Sequence, residues 1–117
     1  NWPTKDGTCI RDYIHVMDLA EAHIKVLDLL LKREPSYFNL NIGTGIGTSV
    51  LELIKTFESV NNVKIPYVYE ERRIGDAPYV VADNTLSISK MEISTRRSLE
   101  DMCRDGWNWK ISNPNGY

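Results

Sequence analysis

A chain of 117 residues that is 42% hydrophobic and 26% charged has the make-up of one soluble globular domain, long enough to bury a core. Its formal net charge is −2, and its 14 basic residues are scattered apart from Arg72-Arg73 and Arg96-Arg97, so nucleic-acid binding gains no support. No apolar run approaches the ~20 residues of a membrane span, and Cys9 and Cys103 form neither a C-x-x-C pair nor a metal cluster with the two histidines, which reads as free thiols in a reducing compartment.

Residues Asn1 to Thr8 read as a turn, through Pro3, Asp6 and Gly7. The stretch from Arg11 to Ala20 begins as a strand, because Tyr13, Ile14 and Val16 favour pleated geometry, and becomes a helix at Asp18, where Glu21 completes a capping-box spacing. Arg11 offers a planar fork of donors that suits a phosphate or carboxylate, and Tyr13, two residues on, shares its side of the strand. The simpler alternative is a surface arginine paired with Asp12. His15 and His23 have no serine or cysteine tied to them by spacing, which favours structural hydrogen bonding over a nucleophilic triad. From Asp18 to about Lys32, Ala20, Ile24, Leu27 and Leu31 recur at helical spacing, predicting a helix buried on one side and ended by Glu34-Pro35-Ser36.

Tyr37 to Ile42 alternates strictly and predicts a half-buried strand. It runs into Gly43-Thr44-Gly45-Ile46-Gly47, and Ser49 with Glu52 predicts a capped helix to about Val60, with Val50, Ile54 and Phe57 facing inward. Strand, glycine turn and helix must be weighed as a dinucleotide fingerprint, since glycines there let a pyrophosphate approach backbone N–H groups. Thr48 stands where the third glycine belongs, although a second predicted strand, Lys64 to Tyr69, ends in Glu70 and Glu71 near the position of a ribose-binding acid. A small NAD-binding module built on Gly43 to Gly47 is therefore one alternative.

Glu70 to Pro78 is a charged connection broken by Gly75 and Pro78, either a solvated loop or one that offers Arg73 to a phosphate and Asp76 to a ribose diol, with Gly75 folding the backbone between them. Tyr79 to Ala82 predicts a short strand, and Asp83 can cap a helix through about Met91, kept short or frayed by Ser87, Ile88 and Ser89. Ser98 and Asp101 predict a capped helix to about Lys110, with Leu99, Met102, Cys103 and Gly106 on one face. Trp107 and Trp109 read as packing anchors, and no repeat is visible.

The run Arg11-Asp12-Tyr13-Ile14-His15-Val16-Met17-Asp18-Leu19-Ala20, with Asp6-Gly7-Thr8 ahead of it, resembles the UDP-glucose 4-epimerases of the extended short-chain dehydrogenase/reductase family. The likeness continues through Asn39 to Gly45, Arg72 to Asp76 and Asn113 to Tyr117, and departs at Leu86 to Ile93, where relatives carry a lysine- and glutamate-rich helix. It implies an α/β fold, with residues 1–117 forming the carboxyl-terminal substrate-binding lobe and the Rossmann domain absent from this chain. The start at Asn1 suggests a fragment, whereas Pro114 to Tyr117 resembles the family's natural end region.

The resemblance further implies part of an enzyme that interconverts UDP-glucose and UDP-galactose by NAD-mediated oxidation and reduction at C4, with NAD on the missing amino-terminal domain. By the same resemblance Arg11 and Tyr13 are substrate-binding, Val50 is an apolar contact for the uracil, Arg73 meets a phosphate and Asp76 accepts from the ribose. Val80 stands where a bulky tyrosine can line the hexose pocket, which implies room for an N-acetyl group. The family's Tyr-x-x-x-Lys pair has no counterpart, since none of the six tyrosines is followed four residues later by lysine. A cytoplasmic homodimer acting on a UDP-sugar is the expectation. Another NAD-dependent nucleotide-sugar epimerase or dehydratase, and a non-catalytic interaction domain, are the alternatives.

Overall fold

The computed structural model describes residues 2–32, 37 and 39–116. Its sheet is small: β1 (Ile10–Arg11) lies between β2 (Thr48–Ser49) and β3 (Tyr79–Val80). The β1–β2 pair is antiparallel, with Ile10 opposite Ser49 and Arg11 opposite Thr48. The β1–β3 pair is parallel, with Ile10 beside Tyr79 and Arg11 beside Val80. Among the described residues four helices complete the α/β fold: α1 (Val16–Leu31), α2 (Val50–Asn61), α3 (Thr85–Met91) and α4 (Leu99–Ser112). None of them is long and apolar enough to cross a membrane.

Helices α2 and α4 begin where their capping boxes predict. Ser49 Oγ accepts the Glu52 N–H at 3.0 Å while Glu52 caps the Ser49 N–H, and Ser98 with Asp101 does the same for α4. The two helices pack together through Phe57 and Trp107, whose rings meet edge to face at 5.8 Å. Asn61 reinforces the contact, donating from Nδ2 to the Cys103 carbonyl at 3.1 Å. Cys103 is buried, and both cysteines are free thiols. Helix α3 is seven residues long, and Asp83 accepts the Thr85 N–H at its start.

The strand expected at Tyr13 to Val16 is absent, and pairing occurs at Ile10–Arg11 instead. Strand propensity reports fit to a pleated surface, whereas pairing needs a neighbour, and the neighbours lie beside Ile10 and Arg11. The cap of α1 is likewise His15 rather than Asp18, because the His15 Nδ1 accepts the Met17 N–H at 3.1 Å and starts the helix early. His15 Nε2 meets Asp105 at 3.2 Å.

Asp18 is freed for a different task. Only 3% exposed, it accepts the backbone N–H groups of Arg96 and Arg97 at 3.1 Å and the Arg97 guanidinium at 2.5 Å. Arg97 also reaches Glu21 at 2.9 Å, so the first turns of α1 are fastened to the approach of α4. Burial pushes the Asp18 carboxyl up, but these hydrogen bonds outweigh it and hold it below the ordinary carboxylate range.

Two further predicted strands are not found among the described residues. Residues 39–42 and Lys64 to Tyr69 carry no ladder, and Phe38 lies outside the described residues. Alternation identifies a face but supplies no edge to pair with. Nor is the apolar side of α1 covered among the described residues, since Ile24 is 60% and Leu31 76% exposed.

Candidate functional site

An open groove of about 520 Å³ runs along the outer ends of β1 and β3, lined by Arg11, Val80 and Asp83 among others. Its walls are set by the central strand. Arg11 and Val80 are register partners in the parallel pair and therefore share one face, whereas Ile10 and Tyr79 lie on the other. There a Cβ on Gly47 would lie 2.6 Å from Ile10 Cγ2 and 3.3 Å from the Tyr79 ring.

Arg11 is fixed at two points. Its Nη1 donates to the Ile10 carbonyl at 2.7 Å, and its Nη2 is ion-paired with Asp76 Oδ1. The loop delivers Asp76 through a tight turn in which Gly75 has φ +83° and the Asp76 N–H donates to the Arg73 carbonyl at 3.2 Å. Arg72 stacks over the Trp2 ring at 4.2 Å and ties this loop to the amino-terminal turn.

Asp12 does not pair with Arg11. Its Oδ1 accepts the Thr44 N–H at 2.9 Å and the Thr44 hydroxyl at 2.5 Å, and its Oδ2 accepts the N–H groups of Gly45 at 2.9 Å and Ala82 at 3.3 Å. One carboxylate thus joins the end of β1, the glycine turn and the residues after β3. Burial raises its proton affinity, but the donors prevail and hold it below the ordinary carboxylate range. Gly43 must be glycine-sized here, because a Cβ would sit 2.6 Å from both Asp12 Oδ2 and Ala82 Cβ.

This arrangement answers the dinucleotide alternative. In such a fingerprint the N–H groups of the turn and of the following helix face a pyrophosphate. Here the Thr44 and Gly45 N–H groups serve Asp12, while Val50, Leu51 and Glu52 donate to the Cys9 carbonyl, Thr8 Oγ1 and Ser49 Oγ. The turn binds a carboxylate of its own chain, and the residues present do not fit an NAD pyrophosphate.

Of the residues singled out from the sequence, the structure brings together Arg11, Asp76 and Val80. Tyr13 lines a separate cavity of about 220 Å³ with Thr44, Arg97 and Met102, and burial pushes its hydroxyl above the usual tyrosine range. Val50 is half-buried at the first turn of α2, and Arg73 is exposed on its loop. Among the described residues no group of His, Cys, Asp or Glu could hold a metal ion. Sequence reasoning missed Asp12 and the buried role of Asp18. No local spacing could have shown either, since their partners lie 32 to 79 residues away.

No family model matches the chain. It is 46% identical over its whole length to the UDP-glucose 4-epimerase of Drosophila melanogaster, covering 34% of that protein. Among solved structures, it superimposes on the UDP-glucose 4-epimerase of Bifidobacterium longum in complex with NAD+ and UDP with a TM-score of 0.91 at 40% identity, over 99% of this chain and 34% of that one. The enzyme of Stenotrophomonas maltophila, with bound NAD and formylated UDP-arabinopyranose, gives 0.89 at 45% identity, over 95% and 33%. The chain is thus homologous to UDP-glucose 4-epimerases from end to end, shares their α/β fold, and spans about a third of their length.

Proposed function

We propose that this chain is the UDP-sugar-holding, carboxyl-terminal lobe of a UDP-glucose 4-epimerase that interconverts UDP-glucose and UDP-galactose. The observation that carries the reading is that Arg11, which lines the groove beside Val80, is ion-paired with Asp76, in a chain homologous to these enzymes throughout. Arg11, joined by Arg73 from the adjacent loop, meets the phosphates, and Asp76 accepts from the ribose. Tyr13 and Val50 complete the substrate contacts, Val50 against the uracil. Holding the sugar is part of catalysis, because a positioned face removes the entropic cost of finding a reactive geometry.

NAD, which these relatives carry, belongs on a part of the enzyme outside this chain, in keeping with the occupied donors of the glycine turn. The proton-transfer residues belong there too, as no Tyr-x-x-x-Lys pair is present in these 117 residues. A cytoplasmic homodimer is part of the same reading.

In the full-length enzyme, Arg11→Ala and Arg73→Ala each remove charge-assisted hydrogen bonds worth roughly 1.5–3 kcal/mol, so UDP affinity falls about tenfold or more. Calorimetry with UDP measures this, and unchanged affinity in both variants would reduce these arginines to surface charges. The 117-residue chain by itself should show no interconversion of the two sugars.

A further inference from the structure

Arg11 and Asp76 are 65 residues apart in sequence, and the reading above gives them separate jobs, one on a phosphate and one on the ribose. In the structure they touch. From this contact, and resting on that reading, we propose that the two form a single recognition unit in which Asp76 is also a positioning residue for Arg11. Its Oδ1 holds the guanidinium at the angle that meets the phosphate, while its Oδ2 stays available to the ribose hydroxyls.

The donor count permits both tasks. A guanidinium has five N–H donors, and the structure engages one from Nη1 with the Ile10 carbonyl and one from Nη2 with Asp76. Nε and a second hydrogen on each terminal nitrogen remain for a phosphate. Asp76 engages Oδ1 alone among the described residues. Two anchors on different segments fix the plane of a side chain that otherwise loses its rotamer freedom only when the ligand binds. The anchoring loop is itself held, by the turn at Gly75 and by Arg72 on Trp2.

The opposing effect is charge masking, since a carboxylate beside the arginine lowers the positive potential that an anion meets. The side chains are 26% and 33% exposed. Solvent screens the Coulombic term at such a surface, whereas the directional constraint of the two hydrogen bonds that hold the guanidinium is not screened. Positioning therefore outweighs masking.

The test uses a ligand that lacks the ribose hydroxyls. Calorimetry on the full-length enzyme compares UDP with 2′,3′-dideoxy-UDP in the wild type, Asp76→Ala, Arg11→Ala and the double variant. If Asp76 touched only the ribose, Asp76→Ala would leave the dideoxy ligand unaffected. The expected result is a loss of about fivefold or more for that ligand, roughly the scale of one hydrogen bond, and no further loss when the same change is made in Arg11→Ala. An unchanged or tighter dideoxy-UDP affinity in Asp76→Ala overturns the proposal. So does an equal loss with and without Arg11, which would mean that Asp76 merely supports the loop. If Arg11→Ala leaves UDP affinity unchanged, the phosphate reading itself fails, which is a separate result from the failure of the coupling alone.

Discussion

The Asp12 carboxylate takes both donors of Thr44, the N–H at 2.9 Å and the hydroxyl at 2.5 Å, and so closes the glycine turn onto the end of the central strand. Two more N–H groups, from Gly45 and Ala82, converge on its other oxygen. Arg11 is the adjacent residue, and Ala82 follows Val80 by two, so the same carboxylate sets the spacing of the groove walls.

Asp12→Ala should therefore destabilise the full-length protein by about 2–4 kcal/mol, since several part-buried donors lose their partner together. Asp12→Asn should recover less than half of that loss, because its amide turns a donor towards other donors. Denaturant unfolding of the two variants checks the order. Equal stability to the wild type would mean that water replaces the carboxylate without cost.

Acid should act through the same groups. The carboxyls of Asp12 and Asp18 titrate below their unfolded value in the folded state. Their contribution is present above the unfolded pKa of about 3.9 and is lost as pH falls below it towards the folded values. Stability should be flat from pH 7 to about 5 with respect to these two groups and fall below about 4. Asp18→Asn should lower the plateau and flatten the acid limb, measured as denaturant midpoints across pH 3 to 7. An acid limb unchanged by this substitution would show that other carboxyls control it.

What was legible in the sequence was local. The capping boxes at Ser49 with Glu52 and at Ser98 with Asp101 join atoms three residues apart, and Gly75 reports its own turn. The strands are harder, because alternation such as that of residues 37–42 marks a face without naming a neighbour to pair with. At the site, residue types placed Arg73 and Asp76 on one loop, and family resemblance supplied their roles. The contacts that organise the groove, Asp12 to Thr44 and Ala82, and Arg11 to Asp76, join segments 32, 70 and 65 residues apart. Spacing rules do not reach such pairs.

Two glycines should respond oppositely to alanine. At Gly43 a Cβ would lie 2.6 Å from Asp12 Oδ2 and from Ala82 Cβ, so Gly43→Ala must push the turn off its carboxylate at a cost of about 1–3 kcal/mol. Gly106 sits inside α4 with nothing within 4 Å of the added atom. Gly106→Ala should stabilise by about 0.5–1 kcal/mol through helix propensity and a less flexible unfolded chain. Thermal unfolding of the pair decides it, and a stabilising Gly43→Ala would mean that the turn is looser than its contacts imply.

Val80 carries the expectation about sugar size. Whether Val80 or Tyr79 faces the sugar depends on register, since a slip of one residue reverses which side chain faces a given side. In the structure Val80 is the partner of Arg11, is 53% exposed and lines the groove, while Tyr79 pairs with Ile10 and turns towards Gly47. Where the phosphate end of a UDP-sugar meets Arg11, a residue beside it on the same face lies within reach of the hexose. A valine there lacks the ring and hydroxyl of a tyrosine, and the space left beside the C2 substituent suits an N-acetyl group. The full-length enzyme is therefore expected to turn over UDP-N-acetylglucosamine as well as UDP-glucose. Val80→Tyr should lower kcat/KM for the acetylated sugar by about tenfold or more relative to UDP-glucose, as overpacking by a ring costs about 1–3 kcal/mol. Both substrates are compared in the wild type and in the variant. A wild type that rejects the acetylated sugar, or a variant with an unchanged preference ratio, would remove Val80 as the gate and leave it a groove-lining strand residue.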